Sequence, residues 1–303
     1  MKKSLIVIEI IISALTAEVS AAANQKKSAS DIFKNYSGIV CNIFVDLEVT
    51  GENYFKEPKQ TKTYTSGSCF AVELNGKKII VTAAHIAKPE NEDQLGKINR
   101  EEIQKSTIPI NLRLKDVWKT VSEVKFSRAK VIFKKPGTSY SLKNAAMDLD
   151  SPEDSDINLN FASADTAQKW LVMEATLEKF NQNLDLASLQ LKDESWYQHL
   201  QFGKFGNSNK LKLGESVHVI GNPIGHNLTI LSGQVAHFHI EEKGNLIRKF
   251  IYTSEMLDYG SSGSPLFNDN GEIIGIAIEL SLNRLSFGIF IPSNTVKKFL
   301  KSN

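Results

Sequence analysis

The chain has 303 residues, 41% of them apolar, enough to bury one large core or two medium ones that share a cleft. Its 36 basic and 34 acidic residues leave a net charge of +2 and no basic stripe, so a nucleic acid is not expected as a partner. The two cysteines stand outside any CxxC spacing and no HExxH occurs, which excludes a zinc ligand set or a cysteine nucleophile at these positions.

At the start, Met1-Lys2-Lys3 precedes an apolar run from Leu5 to Ile12, and Ala21-Ala22-Ala23 offers the small residues at which a signal peptidase cuts. Residues 1–23 are therefore expected to be an export signal, with the mature chain periplasmic or secreted. An uncleaved anchor is the alternative. The run is shorter than the roughly 20 residues of a bilayer span and Glu9 interrupts it, so stable membrane insertion is not expected after processing. Export would permit a bridge between Cys41 and Cys69, both in predicted strands; two buried free thiols fit the sequence as well.

Apolar segments bounded by turn residues then follow one another: 39–47, 69–74, 78–81, 108–114, 129–133, 217–220, 228–240, 250–253, 273–278 and 287–291. This pattern predicts an all-β protein. Asn75-Gly76 is a two-residue hairpin signal, and Asn270-Gly271 reads as a second turn of the same kind. Two stretches depart from the pattern. Residues 134–155 are rich in Lys, Pro, Gly, Ser and Asp and read as a long surface loop. Residues 165–182 carry Trp170, Leu171, Ala175, Leu177 and Phe180 at roughly helical spacing, which predicts a helical insertion. After Pro292, Ser293 can cap a short terminal helix that packs through Val296, Phe299 and Leu300. No solenoid repeat is present.

Two distant segments carry the chemistry. In Gly260-Ser261-Ser262-Gly263-Ser264-Pro265-Leu266, small residues around Ser262 let the backbone turn so that the amides of Gly260 and Ser262 converge on one point. A serine hydroxyl needs a base, and His85 in Thr82-Ala83-Ala84-His85 follows the strand residues Ile79-Ile80-Val81 that would fix an imidazole. A carboxylate must orient that imidazole. Asp148, Asp150, Asp154 and Asp156 crowd one region; Asp156 is chosen because it stands directly before the apolar strand 157–161.

At these residues the chain resembles trypsin-like serine peptidases of the chymotrypsin clan, and more closely their HtrA and glutamyl-endopeptidase branches. The resemblance rests on Ser66-Gly67-Ser68-Cys69-Phe70 with Val81-Thr82-Ala83-Ala84-His85, on Asp156-Ile157-Asn158-Leu159, on Gly221-Asn222-Pro223-Ile224-Gly225, and on Gly260 to Phe267 with Gly275-Ile276. It implies two six-stranded antiparallel β-barrels, one over 31–205 and one over 206–303, with His85 and Asp156 from the first and Ser262 from the second. It also implies an endopeptidase that acts on protein or peptide substrates through an acyl-enzyme, with Gly260 and Ser262 as the oxyanion hole and no cofactor.

Several positions depart from the family. Ser261 stands where trypsin-type enzymes place an aspartate, so activation by an inserted N-terminus is not expected. Met256, six before the serine, would floor the substrate pocket, and an apolar floor disfavours cleavage after Arg or Lys. The sequence ends at Asn303, just after the terminal helix, so a PDZ domain is not expected. Ser264, where many relatives have glycine, is shared with glutamyl endopeptidases, and His226 could bind an acidic side chain or simply be a surface residue. His237 and His239 share one strand face, but no third ligand accompanies them and no metal is expected. A non-catalytic binding or chaperone-like protein on the same fold, or an esterase, are the other functions this sequence allows.

Overall fold

The computed structural model describes residues 26–53, 56, 58–88, 118–135, 147–149, 159–161, 170–222, 228–243, 246–254, 257, 260–280 and 287–302. Six antiparallel strands close a first barrel in the order β1-β2-β3-β8-β7-β4. They are β1 (Val40–Asn53), β2 (Pro58–Leu74), β3 (Lys77–Thr82), β4 (Trp118–Lys134), β7 (Trp170–Asn181) and β8 (Leu186–Leu191). A second barrel closes as β10-β11-β14-β13-β12-β9. Its strands are β9 (Ser216–Gly221), β10 (Thr229–Lys243), β11 (Leu246–Thr253), β12 (Pro265–Asn268), β13 (Ile273–Leu280) and β14 (Gly288–Pro292). Closure leaves neither sheet with an open edge along the core. Three helices accompany them among the described residues: α1 (Ala29–Tyr36), the single turn α2 (Ala84–Ala87) and α3 (Ser293–Lys301).

The expected β architecture is present. Val45, Leu47 and Val49 of β1 are fully buried at every second position, where that strand turns one face inward, whereas Cys69, Phe70, Ala71 and Val72 of β2 are all fully buried. Asn75 and Gly76 both adopt positive φ, the geometry of a tight primed turn, and join β2 to β3. The second turn is of a different kind. Only Gly271 has positive φ there, and its amide donates to the Asn268 carbonyl at 2.9 Å, so the turn is longer than the Asn-Gly pair alone. The predicted strand at 108–114 lies outside the described residues.

Residues 170–181 are a strand, not the expected helix. Leu171, Met173, Ala175 and Leu177 form a period-two set that coexists with the helical spacing of the same segment, and tertiary pairing selects it. β4 offers a ladder from Ala129↔Ala175 to Lys134↔Trp170, and β8 offers another from Ala175↔Leu191 to Asn181↔Leu186. Met173 and Ala175 are buried between them while Glu174 and Thr176 face solvent. A helix would forfeit both ladders and leave the barrel open. Residues 165–169 lie outside the described residues. Within the expected loop at 134–155, β5 (Met147–Leu149) is instead a short strand paired with β6 (Leu159–Phe161).

Cys41 and Cys69 face each other in the β1–β2 register, 4.9 Å apart at Cα, and are joined by a disulfide. Of the two states that the sequence left open, the bridged one is present. Its 28-residue separation restricts the unfolded chain. Replacing both cysteines with alanine is expected to lower the unfolding free energy by about 3–4 kcal/mol. A urea midpoint unchanged in the double variant contradicts this.

The barrels are joined by backbone as well as by apolar contact. The segment after the 3-10 turn Glu194–His199 crosses between them in extended form. Gly203 N–H donates to Ala71 O of β2 at 2.9 Å, while Ile273 N–H of β13 donates to Lys204 O at 2.8 Å. Gly203 lies between the side chains of Ile39 and Ile273, where any Cβ would collide with both. Tyr197 of the 3-10 turn is buried and its hydroxyl accepts the Leu191 N–H at 3.0 Å, which fixes the end of β8; burial raises its pKa.

The N-terminal segment crosses the second barrel. Ser28 and Asp31 form a reciprocal capping box that starts α1, and the hydrogen bonds from Ser28 hold the Asp31 carboxyl below its usual range. Lys26 pairs with Asp269 at 3.2 Å, and Asp269 also meets the buried His218 Nε2 at 3.1 Å. At the other end, Val296, Phe299 and Leu300 of α3 are buried as predicted. Ser293 does not cap it: its hydroxyl donates to Gly206 O at 3.0 Å, and Ser208 Oγ accepts the Asn294 N–H instead.

Candidate active site

Strand register brings an imidazole and a carboxylate together. β3 and β8 pair with Thr82 opposite Ala187, so the residues just beyond the end of β3 and just before the start of β8 emerge side by side. His85 is in α2, directly after β3, and Asp185 closes the turn between β7 and β8. His85 Nδ1 lies 2.8 Å from Asp185 Oδ2, and the backbone N–H of His85 donates to Oδ1 at 2.9 Å. The amide is one of the unsatisfied donors at the start of a helical turn, so the carboxylate holds both the ring and its backbone. Asp185 has φ +52°, a left-handed conformation that aspartate tolerates better than most residues. An ionised carboxylate only accepts, so the proton on this edge of the ring sits on Nδ1 and leaves Nε2 as a base.

Asp156, expected from the sequence to orient His85, lies outside the described residues; the carboxylate that meets Nδ1 is that of Asp185. The signal for Asp185 was present in the sequence: like Asp156, it stands directly before an apolar strand, here Leu186-Ala187-Ser188-Leu189. Reading 165–182 as a helix hid the hairpin that presents it.

Ser262 sits on the turn between β11 and β12. Its carbonyl accepts the Ser68 N–H at 2.8 Å, and Gly67 packs between that carbonyl and the side chain of Ile86, the neighbour of His85. The serine loop of the second barrel thus lies against the histidine turn of the first. Ser262 Oγ bonds the Ile278 carbonyl at 3.4 Å. Gly260 has φ +88° and Gly263 φ +87°, and the carbonyl of Ser261 between them accepts the Ser264 N–H at 2.9 Å. Ser264 is fully buried, with its hydroxyl against Gly221. Met256 and His226 lie outside the described residues.

The rings of His237 and His239 are 6.3 Å apart, each edge-on to Tyr252 at 5.9 Å. Among the described residues no three His, Cys, Asp or Glu side chains form a group able to hold a metal.

The sequence pattern described as a trypsin-like peptidase domain matches residues 67–276. Over 128 residues the chain is 36% identical to a DegP-like periplasmic serine endoprotease of Rickettsia conorii, covering 39% of this chain and 24% of that protein. It is 35% identical over 123 residues to the Do-like serine protease HtrA of Bacillus subtilis, covering 37% of this chain and 26% of that one. The chain thus spans about a quarter of the length of these relatives. Among solved structures, an HtrA-type protease, AlgWS227A with a decapeptide, superposes with a TM-score of 0.59 at 16% identity, covering 91% of this chain and 66% of that one.

Proposed function

Because the chain belongs to the trypsin-like peptidase family, we propose that it is a serine endopeptidase whose catalytic residues are His85, Asp185 and Ser262. The observation that carries this is the clasp of His85 by both oxygens of Asp185, at 2.8 Å to the ring and 2.9 Å to the backbone amide. A carboxylate bonded only to the ring would leave the imidazole free to pivot; the second bond removes that freedom.

For the reaction Ser262 Oγ must leave the Ile278 carbonyl, which it bonds at 3.4 Å, and give its proton to His85 Nε2. Oγ then attacks the scissile carbonyl carbon, its proton passes to Nε2, and Asp185 stabilises the imidazolium. The amides of Gly260 and Ser262 hold the tetrahedral oxyanion. The imidazolium returns its proton to the leaving amine, the C–N bond breaks, and water repeats the sequence on the acyl-enzyme to release the acid. The substrate is a protein or peptide, and the site of action is the periplasm or beyond. Relatives named as periplasmic endoproteases and the Cys41–Cys69 bridge, a bond of oxidising compartments, both support export.

A fluorophosphonate probe tests this directly. The expected result is labelling that maps to Ser262 and disappears in His85→Ala, together with cleavage of casein. A folded chain that takes no label contradicts the enzyme and favours a binding protein on the same fold; turnover of esters alone favours an esterase.

A further inference from the structure

One buried residue outside the proposed catalytic set holds the serine loop at two points from the opposite barrel, through its hydroxyl and its backbone N–H. Ser68, on β2, is fully buried. Its hydroxyl donates to the Gly260 carbonyl at 2.8 Å and accepts the Asn222 N–H at 3.1 Å. Its own N–H donates to the Ser262 carbonyl at 2.8 Å, and its carbonyl accepts the Thr82 hydroxyl at 2.8 Å. Every hydrogen-bonding group of Ser68 is thus committed, and two of the four bonds end on the residues whose amides would bind the oxyanion.

Geometry explains why this matters. A carbonyl fixes the plane of its peptide unit. The Gly260–Ser261 plane is fixed by Ser68 Oγ and the Ser262–Gly263 plane by Ser68 N–H. The Ser261–Ser262 plane between them carries the Ser262 N–H and is fixed by the bond from Ser264 N–H to Ser261 O. Three successive planes are held, two of them by one residue of the other barrel. Glycine at 260 would otherwise turn freely, and an amide misaimed by a fraction of an ångström stabilises a developing charge poorly.

Resting on the peptidase function proposed above, we propose that Ser68 is a positioning residue for the oxyanion-binding amides, acting through the Gly260 and Ser262 carbonyls. Its Asn222 bond extends the same anchor to the end of β9, so the serine loop, β9 and the first barrel share one buried hydroxyl.

The test compares Ser68→Ala with the parent, normalising rates to sites titrated by fluorophosphonate. The expected result is a kcat per titrated site lower by about 10–100-fold with KM within about twofold. A peptide boronic acid, which fills the oxyanion position, should weaken by the same factor. A purely structural serine would instead reduce the number of titrated sites and leave kcat per site at the parental value, which overturns the proposal.

Should Ser68→Ala fail to fold, Thr82→Val carries the test, since it removes only the donor behind the Ser68 carbonyl. A drop of about 3–10-fold in kcat per site with matching loss of boronate affinity supports the proposal, and parental values overturn it. A parent chain that takes no fluorophosphonate overturns the peptidase function and this proposal together. A labelled parent with an unimpaired Ser68→Ala overturns this proposal alone.

Discussion

Asp185→Asn is expected to lower kcat by about 10⁴-fold with KM changed little, whereas Asp156→Asn stays within about twofold of the parent. The physical reason lies in the two bonds of Asp185. An asparagine oxygen can still accept the His85 backbone N–H, so the fold of the turn survives. Its amide nitrogen then faces Nδ1 and donates to it, which moves the ring proton to Nε2, the atom that must act as base. The carboxylate that would stabilise the imidazolium is lost as well. Steady-state kinetics on one peptide substrate with both variants decides the matter. Parental kcat in Asp185→Asn, or an equal loss in Asp156→Asn, would show that the orienting carboxylate is not the one the β3–β8 register brings to His85.

Gly263→Ala should be nearly as damaging, through the backbone. At φ +87° an L-residue pays about 1–2 kcal/mol for conformation alone. A Cβ at this position would also overlap the Ser68 carbonyl oxygen and lie 2.6 Å from Thr82 Oγ1. Both atoms belong to the anchored network between the barrels, so neither can give way cheaply. The expected outcome is a loss of more than about 3 kcal/mol of stability, and at least a 100-fold loss of kcat in molecules that still fold. Urea unfolding and titrated-site kinetics measure the two separately. A variant with parental midpoint and rate would mean that the loop is not held against β2.

Much of the scaffold is legible because its code is local. Residues 39–45, 69–72 and 273–278 are short runs that are buried throughout and mostly apolar, and Asn75-Gly76 specifies its own turn through backbone preference. Segment 170–181 shows the limit. Trp170, Leu171, Ala175, Leu177 and Phe180 satisfy a helical period, while Leu171, Met173, Ala175 and Leu177 satisfy a strand period. Sequence offers both, and the free ladders on β4 and β8 select between them. The terminal helix is a milder example: its apolar face is legible, but Ser293 turns away from the cap because the Gly206 carbonyl is within reach.

What the sequence by itself determined is the chemistry on offer: a serine among small residues, a histidine behind an apolar strand, and a β-rich chain with material for two barrels. Each depends on neighbours a few positions away, so each is written in the local order of residues. Tertiary structure decided the partnerships. Pairing of β3 with β8 set Asp185, 100 residues from His85, against its imidazole. The β1–β2 register joined Cys41 to Cys69, and the packing of two barrels brought Ser68 to the serine loop. Contacts between segments far apart along the chain depend on the register of whole sheets, which no short stretch of sequence encodes alone.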